Sequence, residues 1–195
     1  MGRQEVIDAA INQYALNGYH GATLQKIAQE VGIKPASVYF YYKNKESLFT
    51  AAFQRILDRH FAQMKKIMKE VEDRHIEVIF HSLLDGTVSY HKENTTETTA
   101  YISLVTSPIP EIKEFIQKYM LTFNDWLKES LYSNVKRDYP HISEDEIAKI
   151  NKQYILIANG VFWGIHLYKD DDFAEQIHLA REMIANVLHQ IPAKQ

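Results

Sequence analysis

Residues 32–48 read Gly-Ile-Lys-Pro-Ala-Ser-Val-Tyr-Phe-Tyr-Tyr-Lys-Asn-Lys-Glu-Ser-Leu, and this stretch carries strong signals for where helices begin and end. Gly32 breaks the chain between two short helices, and Pro35 suits the first turn of the second, where its missing N–H needs no partner. Asn44 is a favoured N-cap residue, and Glu46 lies in the positive first turn of the next helix. Helix, turn, short helix and capped long helix is the order of elements in a helix-turn-helix reader of DNA.

Apolar residues recur at helical spacing on both sides of this stretch, and no sustained alternation indicates a strand. On the N-terminal side, the pattern predicts a first helix from about Arg3 to Leu16, closed by Asn17-Gly18, and a second from Leu24 to Val31 with Thr23 as its N-cap. The short third helix begins at Pro35.

On the C-terminal side, a long helix begins near Lys45 and continues past residue 65. Further helices are predicted at 74–92, 96–106, 109–133, 143–168 and 171–190, with a break at Ser107-Pro108-Ile109-Pro110. The fold class we predict is therefore all-α, with about nine helices. A three-helix head in residues 1–50 is followed by a larger helical body in residues 51–195.

Charge and composition narrow the function classes. The net charge is −3, but the first fifty residues hold five Lys or Arg against four acids, so the head is weakly positive. Cysteine is absent, which excludes disulfides and Cys-based zinc sites. The N-terminus lacks the apolar segment of a secretory signal, and no apolar run approaches the roughly 20 residues that span a bilayer. We expect a soluble, cytoplasmic protein without a membrane partner.

Catalytic and metal-binding patterns are not evident. The nine histidines are scattered, and none forms His-Glu-x-x-His or a close His-x₃-His pair. His178 and Glu182 lie one helical turn apart, as a surface pair would. The sequence also lacks Gly-x-Ser-x-Gly, a Walker loop and Gly-x-Gly-x-x-Gly. We expect no metal, no cofactor and no enzyme activity.

Residues 6–53 resemble the N-terminal domain of the TetR family of bacterial transcriptional regulators. The resemblance rests on the first helix ending at Asn17-Gly18-Tyr19 and on four further segments. These are Ala22-Thr23-Leu24-Gln25-Lys26-Ile27-Ala28, Val31-Gly32-Ile33, Ser37-Val38-Tyr39-Phe40-Tyr41-Tyr42 and Lys45-Glu46-Ser47-Leu48-Phe49. The chain departs from the family pattern at Lys34, where Ser or Thr is common, at Phe40, where His is common, and at Tyr42, where Phe is common.

The resemblance implies that the head binds double-stranded DNA through the short third helix. Base contacts are expected from its exposed side, at Lys34, Ala36, Ser37 and Phe40. Pro35, which starts the helix, is also expected to lie at the DNA.

Other positions of the head have more than one interpretation. Tyr39 packs in the head or contacts DNA, and we favour DNA. Tyr41 and Lys45 resemble positions that contact phosphate and so orient the head rather than read sequence. Thr23 is a helix cap whose hydroxyl or amide also meets a phosphate, or a cap alone.

For the body, the resemblance implies a homodimer whose last two helices pair with those of a second subunit. The interface residues we predict are Tyr154, Val161, Gly164, Ile177 and Ile184. Gly160 and Gly164 lie four residues apart, a spacing that lets helices approach closely. The alternative is that these glycines serve only packing within one subunit.

The body is also rich in aromatic residues and methionine, which at helical spacing form either a core or the apolar wall of a ligand pocket. The family norm is a small-molecule effector bound in the body, and we predict an apolar or aromatic one. The residues we predict to contact it are Phe61, Tyr101, Phe123 and Trp126.

The leading hypothesis is a dimeric repressor that binds a palindromic operator and is released by this effector. The alternative is a nucleoid or cell-division DNA-binding protein on the same fold without an inducer.

Overall fold

A computed structural model describes residues 2–106 and 109–191. Within these ranges it has nine α-helices and no strand. The helices are α1 (Arg3–Gly21), α2 (Leu24–Val31), α3 (Pro35–Tyr41), α4 (Lys45–Val71), α5 (Ile76–Glu93), α6 (Thr95–Thr106), α7 (Lys113–Asp138), α8 (Glu144–Leu167) and α9 (Asp170–His189). The all-α prediction is thereby confirmed. Ser107 and Pro108, the first half of the predicted break, lie outside the described residues.

Several predicted helix ends are confirmed by their local geometry. Gly18 has φ 65° and ψ −178°, so the chain leaves the helical path there, although one more turn continues α1 to Gly21. The Ser143 hydroxyl accepts the Glu146 N–H at 3.3 Å, and the Glu146 carboxylate accepts the Ser143 N–H at 2.9 Å, so these two residues form a capping box at the start of α8. Before α7, a 3₁₀ turn spans Pro110–Ile112, where the sequence pattern predicted α-helix from residue 109.

The chain divides into two compact units, one formed by Met1–Phe61 and Glu93–Leu121 and the other by Ala62–Lys92 and Thr122–Gln195. We call them unit 1 and unit 2. Unit 1 contains α1, α2, α3, the first part of α4, α6 and the start of α7. Unit 2 contains the rest of α4 and α7 together with α5, α8 and α9.

Unit 1 is held together by an aromatic core and by a charged cluster. Tyr14 of α1 meets Phe53 of α4 edge-on, with ring centroids 4.9 Å apart. Arg55 of α4 pairs with Asp8 of α1 at 2.6 Å and lies 3.7 Å from Glu97 of α6. Because Arg55 and Glu97 are largely buried, removing either charge would leave the other buried without a partner charge, which is costly. The cluster therefore joins α1, α4 and α6.

Unit 2 has its own core. Phe80 of α5 stacks on Tyr154 of α8, with ring centroids 4.3 Å apart and an interplanar angle of 12°. Gly164 of α8 lies against Phe173 of α9, where an added Cβ would come within 3.1 Å of the ring. The absence of a side chain at Gly164 thus allows α8 and α9 to approach closely.

Candidate nucleic-acid interface

The turn between α2 and α3 is built by residues that the sequence analysis singled out. The Thr23 hydroxyl accepts the backbone N–H of Lys26 at 3.2 Å, so its role as the N-cap of α2 is confirmed. Gly32 ends α2 in the left-handed conformation, with φ 74° and ψ 31°, which a residue with a Cβ rarely adopts. Lys34 is extended and makes no side-chain cap, and Pro35 starts α3. The α2–turn–α3 geometry follows from these choices.

The two faces of α3 differ sharply in their environment. Val38 is fully buried and anchors the helix in the core of unit 1. Tyr39 is 57% exposed and Phe40 is 86% exposed. The other base-facing candidates are also exposed: Lys34, Pro35, Ala36 and Ser37. A seven-residue helix with one buried anchor therefore presents an almost continuous surface of predicted DNA-contacting side chains to solvent.

The corner between α3 and α4 is fixed by a cap. Asn44 accepts the Ser47 backbone N–H at 2.8 Å through its side-chain oxygen, and the Ser47 hydroxyl lies 3.2 Å from the Asn44 backbone nitrogen. This reciprocal pair confirms Asn44 as the N-cap of α4, with Glu46 in the first turn. The N-terminus of α4 therefore lies only a few residues after the end of α3.

Two predicted phosphate contacts lie near this corner, and each is partly engaged within the head. The Tyr41 ring meets Phe40 edge-on, with centroids 5.3 Å apart. The Lys45 ammonium donates to the Tyr19 carbonyl and lies 4.3 Å from the Tyr19 ring centroid. Partial burial lowers the pKa of Lys45. An ammonium has three N–H donors, so two remain after the bond to Tyr19. Phosphate binding by Tyr41 and Lys45 stays a prediction.

Arg3 is a residue that the sequence reasoning missed. Its Nε–H donates to the Tyr42 hydroxyl at 3.1 Å, and its guanidinium carbon lies 5.0 Å from the centroid of that ring. Tyr42, the residue after α3, is only 3% exposed. Because 39 positions separate the two residues, helix periodicity contains no signal for this contact. The arginine thus links the start of α1 to the end of α3.

The four residues predicted to contact an effector are all half-buried. In unit 1, Phe61 meets Tyr119 edge-on at 6.3 Å, and the Tyr101 hydroxyl lies 3.7 Å from the Met120 sulfur. Burial raises the pKa of Tyr101. In unit 2, the rings of Phe123 and Trp126 have centroids 5.8 Å apart. The prediction that these residues share a pocket stays a prediction.

Most of the residues predicted at the dimer interface lie inside unit 2. Tyr154, Val161 and Ile184 are at most 4% exposed, Gly164 packs on Phe173, and Ile177 is half-buried. The large apolar side chains that α8 and α9 leave exposed are a different set, namely Leu156, Trp163, Leu167, Leu179 and Met183. Both helices therefore have a core face and a second, solvent-facing apolar face.

In residues 2–106 and 109–191, no group of three or more His, Asp or Glu side chains is placed to hold a metal ion. Over the same ranges, every helix is too short or too polar to cross a membrane. His178 and Glu182 form the predicted surface pair, with Nε2 3.2 Å from the carboxylate.

The arrangement of α1, α2 and α3 defines a helix-turn-helix protein, and comparisons with known proteins identify the kind. Residues 6–52 match the model of the family described as bacterial regulatory proteins, tetR family. The fatty acid metabolism regulator protein of Bacillus subtilis is 35% identical over 66 residues, which are 34% of this chain and 34% of that protein. This chain therefore spans about a third of the length of that protein.

Two further comparisons extend over most of the chain. The biofilm operon icaADBC HTH-type negative transcriptional regulator IcaR of Staphylococcus epidermidis is 27% identical over 168 residues, 82% of each chain. The transcriptional regulator FadR from Bacillus subtilis, solved with stearoyl-CoA, has a TM-score of 0.75 at 17% identity, over 98% of this chain and 100% of that one. Residues 6–52 thus belong to the tetR family of bacterial regulatory proteins, and the chain as a whole has the fold of a transcriptional regulator of known structure.

Proposed function

We propose that the protein binds a palindromic DNA operator as a homodimer, with α3 of each subunit in the major groove. The observation that carries this proposal is the contrast along α3 between the buried Val38 and the exposed Tyr39 and Phe40. A helix anchored on one side and exposed on the other fits a groove about 12 Å wide. A relative named as a negative transcriptional regulator supports repression as the outcome.

Different side chains are proposed to read the base sequence and to position the head on the DNA. The Lys34 ammonium can donate to guanine O6 or N7, and the apolar groups of Ala36 and Phe40 can contact a thymine methyl. Thr23, the N-cap of α2, and Tyr41, the last residue of α3, would contact phosphate, which fixes the orientation of the head without reading bases.

Selection of bound duplexes from a random pool, at two salt concentrations, tests this function. A palindromic consensus with half-sites one helical turn apart, about 34–36 Å, is expected for a two-fold dimer. Binding should weaken steeply with salt, because phosphate contacts release counterions. Failure to enrich any sequence would overturn the proposal. Sites dispersed across the genome without a palindrome would favour the nucleoid-type alternative.

The second copy of the chain is proposed to cover the exposed apolar face of α8 and α9. Leu156, Trp163 and Leu167 recur at helical spacing on α8 and are 73%, 37% and 71% exposed. On the same side, an added Cβ at Gly160 would meet nothing within 4 Å, so a partner helix can approach there. This face replaces the more buried residues as the predicted contact surface, because Tyr154 and Ile184 already pack within their own subunit.

Size-exclusion chromatography with light scattering tests the dimer. The wild-type protein should have twice the 22.7 kDa mass of one chain, and Leu156→Glu should have the mass of one chain. Burying a carboxylate against an apolar partner face is costly, which is why the dimer should dissociate. Leu16→Glu is the matched control, because Leu16 is 77% exposed but lies on α1. A dimeric Leu156→Glu protein would contradict this assignment.

The proposed effector is a small, mainly apolar or aromatic molecule bound in the body. For the effector to release DNA, it must bind more tightly to a conformation of the dimer in which the spacing of the two heads does not fit the operator. Stearoyl-CoA is the first compound to test, because a solved structure with the same fold was obtained with it. Coenzyme A without the acyl chain is the control that isolates the apolar part.

A ligand at about 100 times its Kd stabilises by about 2.7 kcal/mol, which raises the Tm of a protein of this size by roughly 5–10 °C. A true effector must also weaken operator binding by the same factor by which DNA weakens effector binding. If a screen of diverse apolar compounds raises the Tm with none of them, the effector part of the proposal fails while operator binding stands.

A further inference from the structure

Arg3 makes a side-chain contact outside its own helix. It is the first residue of α1, yet its Nε–H bonds the hydroxyl of Tyr42, the residue that follows α3. The guanidinium also lies over the Tyr42 ring, 5.0 Å from its centroid. A guanidinium that lies within cation–π distance of a ring and also bonds its hydroxyl restrains the orientation of that ring.

Most of the hydrogen-bonding capacity of Arg3 is left for another partner. A guanidinium has five N–H donors, and the Tyr42 hydroxyl takes only the one on Nε. The residue is exposed, and none of the carboxylates in the described residues forms an ion pair with it. The four N–H groups on Nη1 and Nη2 therefore lie at the surface, beside the end of the exposed helix α3.

The head contains few positive charges, so the charge of Arg3 is a large share of the total. The first fifty residues contain five Lys or Arg against four acids. Of the five cations, Lys45 already donates to the Tyr19 carbonyl. A phosphate-binding surface with so few cations depends on each of them, and arginine binds phosphate with more than one N–H at a time.

We propose that Arg3 is a DNA-contacting residue that also positions α3: its Nε–H fixes Tyr42 while its Nη groups bind a backbone phosphate. The proposal rests on the operator binding proposed above. The contact carries no sequence information, because phosphates are the same at every base pair. Arg3 is thus expected to strengthen binding to any duplex and to aim the base-reading side of α3.

The experiment measures Kd against salt concentration by fluorescence anisotropy, with the duplex recovered by selection and with an unrelated duplex. Each phosphate contact contributes about 0.9 to the slope of log K against log salt, so Arg3→Ala should reduce the slope of a dimer by about 1.8. Affinity should fall about tenfold or more on both duplexes, because charge-assisted hydrogen bonds are lost in both subunits.

Three further variants separate contact from positioning. Tyr42→Phe removes only the hydroxyl, so affinity should fall while the salt slope stays at the wild-type value. Arg3→Lys keeps the charge but loses the Nε–H that bonds Tyr42, so it should keep most of the slope. Arg74→Ala is the matched control, because it removes an exposed arginine from unit 2 and should change neither quantity.

Failure of the Arg3 proposal can be distinguished from failure of operator binding, because the wild-type protein alone tests operator binding. If Arg3→Ala weakens binding with an unchanged slope, Arg3 acts only within the head and the phosphate contact is refuted. If it leaves affinity unchanged, both roles are refuted. A thermal melt of each variant establishes that it is folded, and Tyr42→Phe with Arg3→Lys keeps the test decisive if Arg3→Ala is not.

Discussion

Two neighbouring residues of α3 offer a sharp test, because one supports the helix and the other is displayed by it. Val38 is fully buried, and Phe40 is 86% exposed. Val38→Ala removes about two methylene equivalents, at roughly 0.8 kcal/mol each, and leaves a small cavity, so it should cost about 2 kcal/mol. For a chain of 195 residues, this corresponds to a Tm lower by roughly 4–8 °C.

Phe40→Ala should have the opposite profile. An exposed side chain outside special contacts contributes within about 0.5 kcal/mol of zero, so the Tm should stay within about 2 °C of the wild type. Loss of one base contact in each half-site costs about 1–3 kcal/mol per site, so operator binding by the dimer should weaken roughly 30-fold or more.

Circular dichroism melts and anisotropy titrations on the selected duplex measure both quantities for both variants. The salt slope of Phe40→Ala should equal that of the wild type, since no phosphate contact is lost. Full operator affinity in Phe40→Ala would refute the assignment of this residue to the DNA-reading face. A Tm loss as large as that of Val38→Ala would show that Phe40 supports the head instead.

Two other predictions concern the stability of unit 1. Asn44→Ala removes the acceptor of the Ser47 N–H, bonded at 2.8 Å, and should cost about 1 kcal/mol in urea unfolding, whereas Asn44→Asp, which keeps the acceptor, should stay near the wild type. Burial lowers the pKa of His60 from 6.5 to about 4, so the unfolded chain binds a proton between these values that the folded one does not. Stability should therefore be complete above about pH 6.5 and fall as the pH drops towards 4, by roughly 2 kcal/mol between pH 7.5 and pH 5. His60→Gln should lack this component, and an equal pH dependence in that variant would assign it to other groups.

The helix-turn-helix could be predicted from sequence because its determinants are local. The conformations at Gly32, Pro35 and Asn44 are set by backbone freedom, ring closure and side-chain capping within four residues of each position. Contacts between distant residues follow different rules. Neither the bond from Lys45 to Tyr19 nor the bond from Arg3 to Tyr42 leaves a periodic trace, so both became visible only in the folded chain.

The faces of α8 show a second limit of sequence reasoning. Tyr154 and Val161 lie on one apolar face, and Leu156 and Trp163 lie on another. Periodicity identifies both faces as apolar, but it cannot distinguish a face buried within the subunit from one available to a second subunit, since both exclude water. Exposure in the folded chain shows which face is buried within the subunit, and for that reason we propose the second face as the dimer contact.

The composition of unit 1 bears on how an effector signal can reach DNA. The helices proposed to read DNA are not packed alone, because α6 belongs to the same compact unit. Arg55 connects Asp8 of α1 with Glu97 of α6, and Arg59 pairs with the same Glu97 carboxylate at 2.5 Å. Moving α6 by itself would separate largely buried opposite charges, which is costly. A ligand that displaces α6 is therefore expected to move α1 with it, and with α1 the Arg3–Tyr42 link at the end of α3. Charge pairing within unit 1 thus gives the reading helix a physical connection to a helix outside the head.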